Sequence, residues 1–355
     1  MHEIVTLQFG HFANFVGAHY WNAQEAHFNY QQPSEEEEPA PELVNHDCLY
    51  RVGITNKGVD TYTPRALIYD LKGGFGSINK YKLYETAPMQ DYHQQQYDLT
   101  WDPSKMETFQ EEEYIRSEYQ EHLENEEMGL ATEEGEDEIE MNGMRTWSDF
   151  NRVYFHPKSM VTMSGYQLDS EFMPFDVFSY GHAAFTETEK EKDSYDENFR
   201  LFTEECDQLQ GFQVFADVLD GWGGFTTSYL EQLREDFPKT SIVTYGLSDS
   251  QMGKRSTLRE RQTAAVNETL AMTNLSMLSS LYVPVRAPTQ SMLVADGCLQ
   301  IVTIRVHSFL QGSIQPYFLA DLVGSLNWRN ITTVGTLSVG LPFPFGLSKL
   351  PQLTG

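Results

Sequence analysis

The chain has 355 residues, of which 40% are hydrophobic and 13% aromatic, enough for a sizeable core in one large domain or two ordinary ones. It carries 24 Lys and Arg residues against 52 Asp and Glu residues, and the net charge of −28 argues against binding nucleic acid or anionic lipid through overall charge. Its three cysteines are far apart and lack metal-ligand spacing, which excludes a disulfide-rich secreted scaffold.

The sequence shows no membrane or export signal. No apolar run is long enough to cross a bilayer as a helix, and the opening segment MHEIVTLQFG has no basic leader. We therefore expect neither a transmembrane segment nor a signal peptide or matrix presequence.

The first predicted elements are a strand, a helix and a second strand. Glu3–Phe9 is rich in β-branched and apolar residues and ends at Gly10, which is typical of a buried strand. Apolar residues spaced three and four positions apart then predict a helix over 15–30. The segment RALIYDL at 65–71 predicts another apolar strand, which two glycines close.

The acidity is concentrated in one segment. Residues 106–140 contain fifteen acidic residues and one basic residue, about half of the net charge in a tenth of the length. Because like charges at this density repel one another, the sequence predicts an acidic, largely disordered insertion over 89–150. A solvated loop and a partner-binding segment both stay open as interpretations. The shorter run PSEEEEPAPE at 33–42 predicts a surface loop.

Strands and helices alternate again after the insertion. The predicted elements are helices at 194–209, 226–237 and 258–280 and strands at 211–219, 241–247 and 299–306. Thr226 or Thr227 is the expected N-cap of the second of these helices. This alternation, with buried-type strands, predicts an α/β fold in which a mostly parallel sheet carries helices on both faces.

Two glycine-bearing turns join a strand to a helix and are candidate anion cradles. One runs from Gly10 to Asn14, and the other runs from Asp220 to Gly224. Backbone N–H groups at a helix N-terminus favour phosphate, and ligands of parallel α/β sheets bind at the carboxyl ends of strands. Neither turn is a Walker or a GxGxxG motif. Glycines also simply make tight turns, so both interpretations stay open.

Several motifs resemble tubulin, in the same order and at similar spacing. The opening resembles the tubulin G-Q-C-G-N-Q-I-G loop, in which Gly10, Asn14 and Gly17 match. The other similar segments are TPRALIYDL at 63–71, LQGFQVF at 209–215, REDFP at 234–238, VNETL at 266–270 and VGLPFP at 339–344.

The chain is identified more closely as a member of the Misato family, the tubulin-like proteins of mitochondrial distribution and morphology. The opening E-I-V-T-L-Q-F-G-x-x-A-N-F-V-G, the W-N-x-Q-E-A that follows it and PRALIYDLKG are typical of that family. Large acidic insertions also suit it. Members continue well beyond the P-F-P segment, so the resemblance implies a C-terminally shortened form.

The resemblance implies a tubulin-like, Rossmann-type mostly parallel sheet with helices on both faces, followed by the start of a second α/β domain. Residues 1–88 are then the first part of a nucleotide-binding-type domain, and 89–150 are the acidic insertion. Residues 151–285 are the remainder of that domain, and 286–355 are the truncated second one.

Departures from tubulin at its nucleotide site imply that this protein is not an enzyme. The tubulin loop G-G-G-T-G-S-G corresponds to residues 218–224, where Asp220 adds negative charge and Trp222 adds bulk. The tubulin acid that faces the magnesium site corresponds to Lys72, which cannot hold Mg²⁺. We therefore expect no metal and no cofactor. A degenerate site that binds GTP is the alternative, and its residues would be Gly10, Asn14, Asp70, Lys72, Gly221, Gly223 and Gly224.

The resemblance also implies a function. It is that of a non-enzymatic factor that regulates mitochondrial distribution, morphology, fusion and network formation. The expected location is the cytoplasm and, peripherally, the mitochondrial outer membrane. The expected partners are proteins of that surface or of the cytoskeleton, not nucleic acid. The alternative is a GTP-binding, tubulin-like polymer subunit with weak or no hydrolysis.

Overall fold

The structure is a computed structural model that describes residues 2–28, 45–54, 60–76, 146–249, 257–286, 319–327 and 331–336. Four predictions fall largely or wholly outside these ranges. They are the surface loop at 33–42, the insertion as far as residue 145, the strand at 299–306 and the second domain at 286–355.

A parallel sheet of six strands organises the described residues. Its strands are β1 (Glu3–Phe9), β4 (Ala66–Lys72), β5 (Met160–Gln167), β6 (Leu209–Asp217), β7 (Ser241–Ser248) and β8 (Leu281–Arg286). Their order across the sheet is β5-β4-β1-β6-β7-β8, and all neighbours run parallel. A separate antiparallel hairpin consists of β2 (Tyr50–Ile54) and β3 (Asp60–Pro64). The predicted α/β class is confirmed.

Helices cover both faces of the sheet, as predicted. They are α1 (His11–Glu25), α2 (Phe178–Lys192), α3 (Arg200–Glu204), α4 (Trp222–Asp236), α5 (Leu258–Leu278) and α6 (Leu319–Leu326). On one face, Trp21 of α1 and Leu319 of α6 share a core with Phe215 of the sheet. On the other face, Tyr229 of α4 and Leu275 of α5 belong to the second core.

Aromatic side chains fill much of the second core. Phe9, Tyr69, Phe225 and Tyr229 are fully buried, and the centroids of neighbouring rings lie between 4.9 and 5.8 Å apart. Burying a side chain of this size contributes roughly 1.5–3 kcal/mol, and the ring contacts add to that. The core therefore holds α4 firmly under the carboxyl ends of β1 and β4.

The chain changes direction between β1 and β6. It passes outward from β1 through β4 to β5, then returns to β6 beside β1 and continues outward through β7 to β8. Loops that leave two neighbouring strands in opposite directions open a crevice at the carboxyl ends of those strands. Gly10 follows β1 and Asp217 ends β6, so both residues lie at this crevice.

Three helix predictions are wrong in their bounds. Helix α1 begins at His11 instead of residue 15, and α4 begins at Trp222 instead of residue 226. Thr226 and Thr227 therefore lie inside α4 and do not cap it. The region 194–209 is helical only in its first part, where a π-helix (Tyr195–Phe199) runs into α3, and it ends at the first residue of β6. Both longer helices gain residues because side chains accept from their first amides, Asp217 from the distant β6 for α1 and the neighbouring Asp220 for α4.

Candidate functional site

A carboxyl group from β6 lies against the N-terminus of α1. Asp217 accepts hydrogen bonds from the backbone N–H groups of Phe12 (2.9 Å to Oδ2) and Ala13 (2.8 Å to Oδ1). A helix leaves such first-turn amides without an internal partner, and these are the groups that the sequence predicts as a phosphate cradle. The chain's own side chain fills the cradle.

Gly10 allows this close approach. Its φ is 110°, which other residues rarely adopt, and a Cβ atom here would lie 2.3 Å from Oδ2 of Asp217. The sheet register pairs Phe9 with Ala216, so Gly10 and Asp217 are the next residues along two neighbouring strands. Any side chain at position 10 would displace the carboxyl group.

Asp70, at the carboxyl end of β4, is a fully buried hydrogen-bond acceptor. Its Oδ2 accepts from Asn14 Nδ2 (3.0 Å) and Trp147 Nε1 (2.9 Å) and lies 3.1 Å from His11 Nδ1. Its Oδ1 accepts from the N–H of Leu71 (2.8 Å). Four groups thus converge on one carboxylate, which is fixed by the protein itself.

Trp147 comes from the far side of the acidic segment. Its indole is fully buried in the short turn Trp147–Phe150, where Thr146 and Asp149 form a capping box. Residues 146–150, which the sequence assigns to the insertion, therefore pack directly onto the site. A sequence pattern alone did not reveal this contact, since Trp147 and Asp70 are 77 positions apart.

The second candidate cradle, at the N-terminus of α4, is also used by the chain. The Trp222 N–H donates to Oδ1 of Asp220 (2.9 Å), and the Gly221 N–H donates to the carbonyl of Phe175 (3.1 Å). The Trp222 indole is 1% exposed and packs against the Phe175 ring, with centroids 5.4 Å apart. The bulk that the sequence predicts beside a phosphate lies in the core instead.

Gly223 and Gly224 are helix-packing positions inside α4. A Cβ atom on Gly224 would lie 1.9 Å from the carbonyl oxygen of Phe178 in α2. A Cβ atom on Gly181 of α2 would lie equally close to the carbonyl of Gly221. The two helices therefore cross in backbone contact, and glycine is needed there for packing.

The predicted site residues thus fall into separate places. Gly10, Asn14 and Asp70 come together at the crevice, while the three glycines of the 221–224 segment start and pack α4. Lys72 ends β4 with an exposed side chain, and its carbonyl accepts from the N–H of Leu168 (2.9 Å).

Electrostatics also act against an anion at the crevice. Burial raises the pKa of Asp217, and the charge of Asp220 raises it further, while the two backbone amides lower it. Burial raises the pKa of Asp220 to about 7, although the Trp222 amide lowers it. Close, buried carboxyl groups favour a shared proton. A phosphate here would meet Asp70, Asp217 and Asp220, so the groups as arranged do not fit a nucleotide phosphate.

The described ranges contain neither a candidate metal cluster nor a membrane-spanning helix. No group of three or more His, Cys, Asp or Glu side chains in these ranges is placed to hold a metal ion. Among the helices of the same residues, none combines the length and the hydrophobicity needed to cross a membrane.

Sequence reasoning missed Asp217, the residue that decides the character of the site. The available signal was an acidic residue directly after the mostly apolar run GFQVFA. A buried-type strand that ends in Asp at a sheet crevice places that carboxyl group among helix N-termini. Its two donors, however, lie 205 and 204 positions away, beyond the reach of local patterns.

Comparison with known proteins agrees with this fold. Residues 2–125 match the Misato Segment II tubulin-like domain, and residues 137–306 match a tubulin domain. Protein DML1 of Phaeosphaeria nodorum is 38% identical over 98% of this chain and 67% of its own length. This chain belongs to the Misato family.

Other Misato-family relatives are similar over comparable lengths. Protein dml-1 of Neurospora crassa is 38% identical over the whole of this chain and 64% of its own length. Protein misato homolog 1 of Bos taurus is 32% identical over 79% of this chain and 51% of its own length. The chain thus spans between half and two thirds of these Misato-family proteins, and none of the three names states an enzymatic activity.

Proposed function

We propose that the chain is a non-enzymatic, tubulin-like factor that regulates mitochondrial distribution, morphology and fusion or network formation. The observation that carries the non-enzymatic part is the Asp217 carboxyl group on the amides of Phe12 and Ala13. Family membership supports the mitochondrial part. The proposed location is the cytoplasm and, peripherally, the mitochondrial outer membrane, with protein partners there or on the cytoskeleton.

The energetics of displacing Asp217 support this proposal. A nucleotide phosphate would have to break two hydrogen bonds, each worth about 0.5–1.5 kcal/mol net, before making its own. It would also bring at least two negative charges next to Asp70 and Asp220, which are held in place by other contacts. The amides at the N-terminus of α1, which would favour a phosphate, already donate to Asp217.

Nucleotide binding is the direct test of the non-enzymatic part. We expect purified chain to bind neither GTP nor GDP at micromolar concentrations, with or without Mg²⁺, in equilibrium titrations. Asp217→Ala frees the two amides and removes a carboxyl group, so any anion affinity should appear first in that variant. Asp207→Ala, at an exposed acidic position, is the matched control. Micromolar binding by the unaltered chain would overturn this part.

The mitochondrial part has a separate test. Expressed in Neurospora crassa in place of dml-1, this chain should co-fractionate with mitochondria, and shutting off its expression should change the shape of the network. Absence from the mitochondrial fraction, together with a network that the loss of expression leaves unchanged, would contradict the proposal.

The second candidate is a GTP-binding polymer subunit with weak or no hydrolysis. The observation that favours it is the meeting of Gly10, Asn14 and Asp70 at the sheet crevice. It predicts nucleotide-dependent assembly of the purified chain, which light scattering would detect. It becomes the leading function only if the titrations above show micromolar GTP binding.

A further inference from the structure

The loop between β5 and α2, residues 168–177, carries an exposed apolar tip. Phe172 is 98% exposed, and Met173 beside it is 56% exposed. Among the described residues, no other large hydrophobic side chain is exposed to the degree of Phe172. Single exposed apolar residues are common on protein surfaces, so the residues around Phe172 and Met173 must show whether this pair is a binding site.

The first half of the 168–177 loop is held by hydrogen bonds. The N–H of Leu168 donates to the carbonyl of Lys72 (2.9 Å), which ties the loop to β4. Asp169 turns the chain with a φ of 57°, and the Met173 N–H donates to Oγ of Ser170 (3.3 Å). The apolar tip therefore stands on a defined turn.

The second half is anchored in the core. The Phe175 ring is buried between Tyr166 (4.8 Å between centroids) and Trp222. The carbonyl of Asp176 accepts from Nδ2 of Asn267, a buried side chain of α5, at 2.7 Å. Because both ends are fixed, the loop presents Phe172 in one place, and a partner would pay little ordering entropy to bind it.

The charged residues of the 168–177 loop itself are all acidic, while Lys72 is exposed at its base. Asp169, Glu171 and Asp176 are exposed, and the sequence contains no Lys or Arg between Lys158 and Lys190. Anionic membrane surfaces repel such a loop, whereas Lys or Arg side chains around an apolar pocket would attract it.

We propose that the 168–177 loop docks into a partner protein, with Phe172 and Met173 filling an apolar pocket that is rimmed by Lys or Arg. Asp169 and Glu171 pair with that rim, while the aromatic anchor supplies most of the affinity. The inference rests on the proposed function only in assuming that the protein works through protein partners. It names the surface and the chemistry of the pocket, which the proposed function leaves open.

Site-specific photo-crosslinking tests the occupant. The probe is p-benzoylphenylalanine at position 172, in full chain expressed in Neurospora crassa in place of dml-1. Position 277 is the control, because Met277 is 74% exposed on α5, outside the loop. We expect a protein adduct at position 172 only, whose crosslinked partner peptide contains apolar residues and Lys or Arg. The proposal would be overturned if position 172 gave no adduct, or adducts only to lipid or to a second copy of the chain. It would also be overturned if position 277 crosslinked to the same proteins.

Substitutions then test the chemistry with the purified crosslinked partner. Phe172→Ala should weaken binding about 30-fold or more, as for an aromatic hot spot, and Phe172→Leu should weaken it less. Glu171→Lys should weaken binding about tenfold, and the loss should shrink in high salt. Both positions are exposed, so melting temperatures should not change. Unchanged affinity in Phe172→Ala would overturn the proposal, whatever the outcome of the nucleotide titrations.

Discussion

Asp217 performs for α1 the task that an N-cap side chain performs in most helices. The residue at the N-cap position is Gly10, which has no side chain to offer. The acceptor therefore comes from another strand, 205 positions away in sequence from one donor. Capping by a distant residue ties the helix to the sheet as well as satisfying its amides.

Removing this acceptor should destabilise the fold. Asp217→Ala removes the acceptor of the buried Ala13 amide and of the partly buried Phe12 amide, and we expect a loss of about 1–3 kcal/mol in the free energy of unfolding. Asp217→Asn keeps one oxygen acceptor and should lose less. Urea denaturation measures both, with Asp207→Ala as the exposed control. Equal stabilities of the unaltered chain and Asp217→Ala would contradict the capping role.

The raised pKa of Asp220 predicts a pH-dependent stability. Its folded-state pKa is about 7 and its ordinary value is 3.8. The unfolded chain therefore releases this proton at lower pH than the folded chain, so the free energy of unfolding falls as pH rises from about 4 to about 7. Asp220→Asn keeps an acceptor for the Trp222 N–H and removes this cost. We expect the variant to gain up to about 4 kcal/mol at pH 8 and nothing near pH 4. Urea denaturation at pH 4, 6 and 8 measures this gain in stability. A gain that does not change with pH would show that ionisation of Asp220 is not its cause.

At the scale of single residues, the sequence predicted residues at the ends of strands but missed the distant residues that form hydrogen bonds with them. Gly10, Asn14 and Asp70 were recognisable because strand ends and the first turn of the following helix meet at one edge of a parallel sheet. Asp217 and Trp147 were not, because their contacts join segments that no local pattern relates. The amides of the candidate cradle bind the Asp217 carboxyl group, and this contact required the three-dimensional structure.

At the scale of elements, helices α2 and α4 pack against each other through their backbones. Their glycines bring the two backbones into contact, and this packing leaves no room for a methyl group. Small residues on a buried helix face also weaken hydrophobic periodicity. The buried residues of α2 are Phe178, Gly181, Ala184 and Thr188. For this reason the sequence pattern did not predict α2.

A substitution at this crossing should be severe. In Gly224→Ala, the new Cβ atom would lie 1.9 Å from the Phe178 carbonyl, so the helices must separate, and we expect a loss of about 3 kcal/mol or more. The matched control is Gly324→Ala in α6, where a Cβ atom meets nothing within 4 Å. That change should stabilise the helix by about 0.5–1 kcal/mol. Thermal and urea unfolding measure the stability of both variants, and equal stabilities would contradict the packing role of Gly224.

The strands predicted at 3–9, 65–71, 211–219 and 241–247 lie within two residues of β1, β4, β6 and β7, whereas β2, β3, β5 and β8 were not predicted. The strand Glu3–Phe9 was predicted to the residue, because buried parallel strands are short apolar runs between glycines and turns. Helices α1 and α4 start earlier than predicted because Asp217 and Asp220 accept from their first amides. The distant acceptor of α1 is invisible to a rule based on neighbouring residues, whereas Asp220, two positions before Trp222, is a local acceptor that the prediction overlooked.

For the whole molecule, the net charge of −28 should set the response to salt. Self-repulsion destabilises a compact, highly charged chain, and salt screens it over about 10 Å at 0.1 M. We expect the melting temperature to rise by a few degrees between about 10 and about 200 mM NaCl. Replacing residues 106–140 with a short neutral linker, which removes half of the net charge, should reduce that rise. A melting temperature that salt leaves unchanged would contradict this.

The hydrogen bonds between Asp217 and the start of α1 also set an order of events during synthesis. The ribosome makes Phe12 long before Asp217, which follows 205 residues later. At 5–20 residues per second, the first helix waits roughly 10–40 s for its acceptor. Throughout that interval β1 lacks its neighbour β6, so one edge of the nascent sheet is open to wrong pairing. A chaperone that shields this edge would therefore act on the nascent N-terminal half and leave when β6 arrives.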